Sequence, residues 1–322
     1  MTSPRPTIAV LGASGFVGSA VVSALVARGA LPRPIKTPRV TVDEDPSADQ
    51  LEEDFASSIQ SLLEQLADCE AVINCAGQPD ASSRDLAGLR GANAAVPGIA
   101  AAAARKAGTR RFVHVSSAVV QGRKACLDSS MSTDPFSAYA SSKISGERLA
   151  LDLGPISTVV YRPPSVHDSS RRVSRMTATI ARSRLACVAA PGTANSPQAH
   201  ILNVGDIIAF LALHPETPPS IVTHPSEGLT TAGLMEVLGG RRPFLIPRPL
   251  AQVGVKLGEL AGRGIPALAA NARRIEMLWF GQEQADSWAS LHGWMPPAGN
   301  DGWKNLAEEL RSQAGHPQGD IR

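Results

Sequence analysis

Tyrosine and lysine are scarce in this chain. Its 322 residues include two tyrosines, Tyr139 and Tyr161, and six lysines against twenty-five arginines. Any site that needs a phenol or an amine therefore has few candidates. Aromatic residues make up 4% of the chain and hydrophobic residues 43%, so the core has to be aliphatic. No charge of one sign dominates: the formal net charge is +2, and no basic cluster is interleaved with aromatics. That balance argues against a nucleic-acid binder. Four cysteines (Cys69, Cys75, Cys126, Cys187) form no CxxC, which excludes a disulfide framework or a zinc ribbon. Seven histidines include no HExxH and no close pair, so no metal site is expected. The longest apolar run, 94–104, falls short of the ~18 residues a membrane span requires and is broken by Pro97 and Gly98, so no membrane partner is expected. The start, 1–7, lacks an apolar leader core, which points to a cytoplasmic protein.

A chain of this length makes one large domain or two smaller ones. Its first half alternates short β-branched runs with Ala-rich amphipathic stretches. The pattern predicts strands over 7–11, 71–74, 111–116 and 158–162, and helices over 17–28, 93–106 and 138–152. Such alternation needs crossover connections and a parallel sheet covered on both faces. The expected fold class is thus α/β, a Rossmann-type doubly wound parallel sheet. After Pro163 the composition turns to prolines, arginines and short helical segments, with a clear helix over 204–213 and a strand over 220–223. The expected division is a dinucleotide-binding domain over 1–162 and 203–223, a smaller discontinuous substrate lobe over 163–202 and 224–315, and a frayed tail over 316–322.

Gly12, Gly15 and Gly18 sit between the first strand and the first helix, in Gly12-Ala13-Ser14-Gly15-Phe16-Val17-Gly18. Glycine there lets the backbone turn sharply, approach a pyrophosphate and pack the helix close to the strand, with the phosphate on the helix N-terminus. A dinucleotide is the expected ligand. An acidic residue about 20 positions further on would hold the ribose hydroxyl of NAD. Here the stretch from Arg33 to Arg39 has no carboxylate and three cations, Arg33, Lys36 and Arg39. Lys36 and Arg39 would suit a 2′-phosphate, so NADP (NADPH) is the expected cofactor. The alternative is NAD, with a solvated basic loop and Asp43 in the acidic role. A second arginine enrichment, with Arg171, Arg172, Arg175, Arg182 and Arg184, fits either a solvated face or small-anion binding.

Tyr139 and Lys143 stand four apart, one turn of a helix on the same face. A phenol at its ordinary pKa of about 10 is a poor catalyst near neutrality, and a neighbouring ammonium brings it into range. With so few of either residue, this spacing is expected about 0.04 times by chance. Upstream, Ser116 and Ser117 end a strand at its carboxyl edge, where open α/β sheets place ligands, and one of them could hydrogen-bond a substrate oxygen.

Together these residues resemble the extended short-chain dehydrogenase/reductases, the group of nucleotide-sugar epimerases, dehydratases and ketoreductases. The resemblance runs over nearly the whole chain. The glycine turn matches the family's GxxGxxG, which implies cofactor contacts for Gly12, Ser14, Gly15, Phe16, Val17 and Gly18. Asp54-Phe55 looks like the acidic-apolar pair that follows the third strand and meets the adenine. Cys75-Ala76-Gly77, after Asn74, is similar to the motif beside the cofactor, and Asn93 to the asparagine opening the next helix. The stretch from Val115 to Gly122 matches the serine motif. By that match Ser116 lies at the cofactor and Ser117 is catalytic and touches substrate. Tyr139, Lys143 and the following Glu147 reproduce the catalytic helix. The stretch from Tyr161 to Val166 looks like the segment passing the nicotinamide, which implicates Pro163 and Val166. The stretches 203–208 and 291–296 resemble the strand-to-helix return and the C-terminal LGWxP.

Departures narrow the reaction. Where the family's 4,6-dehydratases carry an Asp-Glu pair, this chain has Ala118 and Val119, which disfavours dehydration. Gln121 replaces the usual tyrosine, and Asp168 the usual glycine. The resemblance then implies an NADPH-dependent ketoreductase of a nucleotide-activated (dTDP or UDP) 4-keto sugar. In this scheme Tyr139 is the general acid, Ser117 orients the oxygen, and Lys143 holds the cofactor ribose and lowers the tyrosine pKa. Arg171 or Arg172 is the expected diphosphate contact. The alternatives are a nucleotide-sugar 4-epimerase with retained NAD, and a non-catalytic NADP-sensing protein. A homodimer joined near Asn93 and Tyr139 is also implied.

Overall fold

The computed structural model describes residues 5–79, 83, 85–262 and 275–315. It begins with strand β1 (Thr7–Leu11), helix α1 (Phe16–Ala27) and strand β2 (Leu31–Ile35). Helices α2 (Ala48–Asp54) and α3 (Ala56–Gln65) precede strand β3 (Ala71–Asn74). Helix α4 (Leu86–Arg90) passes through a π turn, Gly91–Ala95, into α5 (Val96–Lys106). Then come β4 (Arg111–Val115), β5 (Cys126–Leu127), α6 (Ala138–Leu153) and β6 (Thr158–Arg162). The remaining elements used below are β7 (Ser165–His167), α7 (Arg172–Arg182), β8 (Cys187–Ala189), β9 (Gln198–His200), α8 (Ile201–Leu213), β10 (Ile221–Thr223), α9 (Thr231–Gly239), β11 (Phe244–Ile246) and α10 (Arg248–Gly262).

The central sheet has six parallel strands in the order β10-β6-β4-β3-β1-β2. The doubly wound expectation holds. Strands β3, β4 and β6 are buried along their whole length, as a parallel sheet covered on both faces requires. The order reverses between β1 and β3, and such a switch point opens a crevice at the carboxyl ends of the strands. Helices α1 and α8 pack together, while α3, α5 and α6 form another group. Buried Arg111 on β4 donates to the carbonyls of Leu211 and His214 at the end of α8, satisfying acceptors that a helix terminus leaves open.

The chain divides into two units. The first comprises 1–164, 201–225 and 285–296; the second comprises 165–200, 226–284 and 297–322. The sequence boundaries assigned all of 224–315 to the second lobe. Residues 285–296 instead belong with the sheet, because Ala285 N donates to Leu127 O, Ser287 Oγ to Thr223 O and Trp294 Nε1 to Asp206. The expected tail, 316–322, lies outside the described residues. In the second unit β7 pairs with β9 and β8 with β11, around a core that includes Leu234, Leu238, Trp303 and Leu306.

One further expectation changes. No third strand lies between β2 and Asp54-Phe55. The capping box of Ser47 and Gln50 starts a helix, Asp54 ends it exposed, and Phe55 packs on the core instead. Helix α5 is covered within this chain. Val96 to Ala104 are all buried, and Ile99 to Ala104 pack in one cluster with Leu51 of α2 and Ile59 and Leu62 of α3. Ser145 Oγ donates to Asp45, and Arg148 to the Pro46 carbonyl, which lays the 45–46 loop along α6.

Candidate active site

The glycine turn has the geometry its composition suggests. Gly12 has φ +73°, and a Cβ there would lie 2.8 Å from Ala76 N. A Cβ at Gly18 would lie 2.0 Å from Gly12 O, so only glycine lets α1 start this close to the end of β1. Gly15 caps α1 without a side chain, leaving the first N–H groups for an anion.

A cavity of 1130 Å³ opens beside this turn. Its walls are Gly12, Ala13 and Ser14, the stretch 34–41 from the end of β2, residues 76–78 after β3, and one side of α3 from Ser57 to Gln65. Lys36 and Arg39 line it; Arg33 and Asp43 do not. Arg33 donates to the Ala67 carbonyl, and the Asp43 carbonyl accepts from Arg90. Ser57, Ser58 and Ser61 of α3 take the wall that the sequence reading gave to Asp54 and Phe55. The Ser47/Gln50 capping box starts α2, and α3 follows it directly with Phe55 at its N-cap. The size, the close-approach glycines and the open helix terminus fit a nicotinamide dinucleotide. Among the described residues, no group of three or more His, Cys, Asp or Glu could hold a metal ion.

The catalytic helix begins at Ser137, whose side chain accepts from Ala140 N. Tyr139 is half-buried in the first turn and Lys143 is buried in the next. Lys143 Nζ donates to the Val115 carbonyl at 3.2 Å. This bond ties the helix to the end of β4, two residues before Ser117. Ser117 is half-buried, and its Oγ accepts from Val119 N at 3.3 Å, which leaves its own hydrogen free to donate.

Beneath them lies a buried network that sequence reasoning missed. Glu147, one turn beyond Lys143, receives Arg162 Nε at 3.0 Å and Nη2 at 2.6 Å. Ser116 Oγ donates to the same carboxylate. Ser116 was expected at the cofactor, but its side chain is committed to Glu147. The spacing of Glu147 from Lys143 was visible in the sequence; its partners on β6 and β4 were not. Asn93, in the π turn, accepts from Gln78 N at 2.9 Å and donates to Gln78 O and to Ser142 Oγ on α6. A Cβ at Gly77 would lie 2.9 Å from Asn93 Oδ1 and 3.1 Å from Lys143 Nζ, which explains glycine there. Pro163 O accepts from Ala118 N. Val166, Arg171 and Arg172 belong to the second unit, with Arg171 half-buried ahead of α7 and Arg172 exposed at its start.

Desolvation pushes the Lys143 ammonium down to about 8, against the pull of Glu147. Desolvation also raises the Cys75 thiol to about 12 and drives His114 well below the usual imidazole range, so both stay neutral beside it. Because the folded Lys143 gives up its proton more readily than the unfolded one, its burial penalty is fully present below pH 8. The penalty fades as the pH rises from about 8 to 10.5. Lys143→Met is therefore expected to be more stable than wild type near neutrality, by up to about 3 kcal/mol. Urea unfolding at pH 7 and pH 10 checks this, and the difference should shrink at the higher pH.

A doubly wound sheet with a dinucleotide cleft and a Tyr/Lys helix defines an NAD(P)-dependent oxidoreductase. Residues 8–222 match the model of the NAD dependent epimerase/dehydratase family, and the chain belongs to that family. A curated relative from Stigmatella aurantiaca, 4-hydroxy-2-methyl-3-oxo-4-farnesyl-3,4-dihydroquinoline-1-oxide ketoreductase, is 28% identical over 301 residues, covering 85% of this chain and 86% of its own. UDP-glucuronic acid 4-epimerase from Bacillus cereus, solved with UDP-glucuronic acid and NAD, is 18% identical with a TM-score of 0.61, over 95% of this chain and 99% of that one. dTDP-4-dehydrorhamnose reductase from Bacillus anthracis, solved with NADP, is 15% identical with a TM-score of 0.58, over 96% and 99%. At such identities the two structures carry the fold alone.

Proposed function

We propose that this protein is an NADPH-dependent ketoreductase. The observation that carries the reading is Lys143, buried and tied to the end of β4, one helical turn from Tyr139. When bound, NADPH supplies the hydride that the carbonyl carbon accepts. Tyr139 gives its phenolic proton to the carbonyl oxygen, which becomes the alcohol. Ser117 donates its hydroxyl hydrogen to that oxygen and holds it in place. Lys143, protonated, stabilises the phenolate left on Tyr139.

The preference for NADPH is supported by Lys36 and Arg39 in the cavity wall and by the place of Asp43 outside it. Arg39→Ala should raise KM for NADPH by about tenfold or more, the worth of one charge-assisted phosphate contact, and leave KM for NADH nearly unchanged. Equal effects on both cofactors would refute the 2′-phosphate role.

The substrate we infer from the family resemblance is a nucleotide-activated 4-keto sugar. A second substrate class, an apolar cyclic ketone, is favoured by the Stigmatella relative, whose name gives a farnesylated ketone. A screen of NADPH oxidation against both classes distinguishes them. Stoichiometric NAD in the purified protein, with no NADPH consumed, would instead support the 4-epimerase alternative and overturn the reductase reading.

A further inference from the structure

Helix α10 is apolar on two sides. Ala251 and Val255 are buried in the second unit, whereas Leu250, Val253, Leu257 and Leu260 are 62%, 53%, 61% and 57% exposed. At about 100° per residue these four fall within an arc of about 80° and span about 15 Å along the helix axis. Phe244 and Leu245, on the preceding strand β11, are exposed as well. Single exposed apolar side chains are ordinary; four aligned on one helix face mark a surface that something covers.

The surrounding charge selects what covers it. The stretch 240–262 holds four cations, Arg241, Arg242, Arg248 and Lys256, and a single acid, Glu259. All four cations are exposed. Lys256 lies about 40° from the apolar arc, where its stem can lie along the leucines while the ammonium reaches outward. A two-fold contact with a second copy would set this basic stretch against itself. An anionic lipid surface meets both demands, taking the leucines into its acyl boundary and Lys256 among its headgroups, while Arg248 lies over Phe280 on the far side of the helix and Arg242 pairs with Glu236.

We propose that α10 docks flat on an anionic membrane surface through Leu250, Val253, Leu257 and Leu260, with Lys256 on the headgroups. The helix is 15 residues long, short of the roughly 20 needed to span a bilayer, so it would lie in the interface. Among the described residues no helix is long and apolar enough to cross a membrane, and peripheral docking needs none. The docking does not depend on which ketone the enzyme reduces.

Co-sedimentation of the full chain with phosphatidylglycerol-containing vesicles and with pure phosphatidylcholine vesicles tests it. Binding to the anionic vesicles is expected, weakened by salt. Val253→Gln and Leu257→Gln should each lower it by about tenfold, and Lys256→Glu should lower it further than added salt alone. All three positions are exposed, so the variants should keep the wild-type thermal midpoint, which shows that lost binding is not lost folding. Three results would overturn the proposal: no binding to either vesicle, binding indifferent to the substitutions, or a dimer in light scattering that Leu257→Gln dissolves without any vesicle binding.

Discussion

Tyr139→Phe should lower turnover by about 10³-fold, the range of a positioned general acid, while NADPH binding followed by fluorescence stays close to wild type. The expectation is sharp because the chain has only one other phenol. Tyr161 is fully buried in β6, and its hydroxyl lies 2.6 Å from His224 Nδ1, so it cannot substitute. The change removes one oxygen from a half-buried side chain, so the fold should survive. A variant that keeps most of its turnover would refute the mechanism, whichever ketone is the substrate. In the wild type, turnover should also fall as the pH rises through about 8, where Lys143 loses the charge that supports the tyrosine. A pH–rate profile shows that limb directly.

Glu147→Gln should destabilise the protein by about 3–5 kcal/mol, the usual consequence of leaving one partner of a buried ion pair uncompensated. Arg162 and Glu147 are 1% and 4% exposed at their side chains, and Arg162 has two donors on the carboxylate. A thermal midpoint roughly ten degrees lower is the readout. Removing both charges, with Glu147→Leu and Arg162→Met, should recover much of the lost stability. That double variant separates structure from chemistry. Glu147 supports the Lys143 proton, so without it the alkaline limb of activity should move to lower pH even in a well-folded protein. If the limb stays in place once stability is restored, the carboxylate is structural only.

The legible parts of the fold were those encoded by local periodicity. The strands at 7–11, 71–74 and 158–162 and the helix over 138–153 follow from runs whose burial pattern is written in consecutive residues. The stretch 36–65 is less legible. Its motif suggested a strand before Asp54, yet Leu51, Ile59 and Leu62 are spaced for a helical face packed on α5. The return of 285–296 to the first unit was equally hidden, because it rests on single hydrogen bonds to Leu127, Thr223 and Asp206.

By itself the sequence determined the glycine turn and the Tyr139/Lys143 pair. Both depend on spacings of a few residues, within which backbone geometry leaves little freedom. Tertiary structure alone decided which of three cations face the cavity, which serine meets Glu147, and how far Lys143 is desolvated. It also decided that Leu250, Val253, Leu257 and Leu260 of α10 are exposed. Each of these depends on residues brought together from far along the chain, and on the exclusion of water by the packing around them.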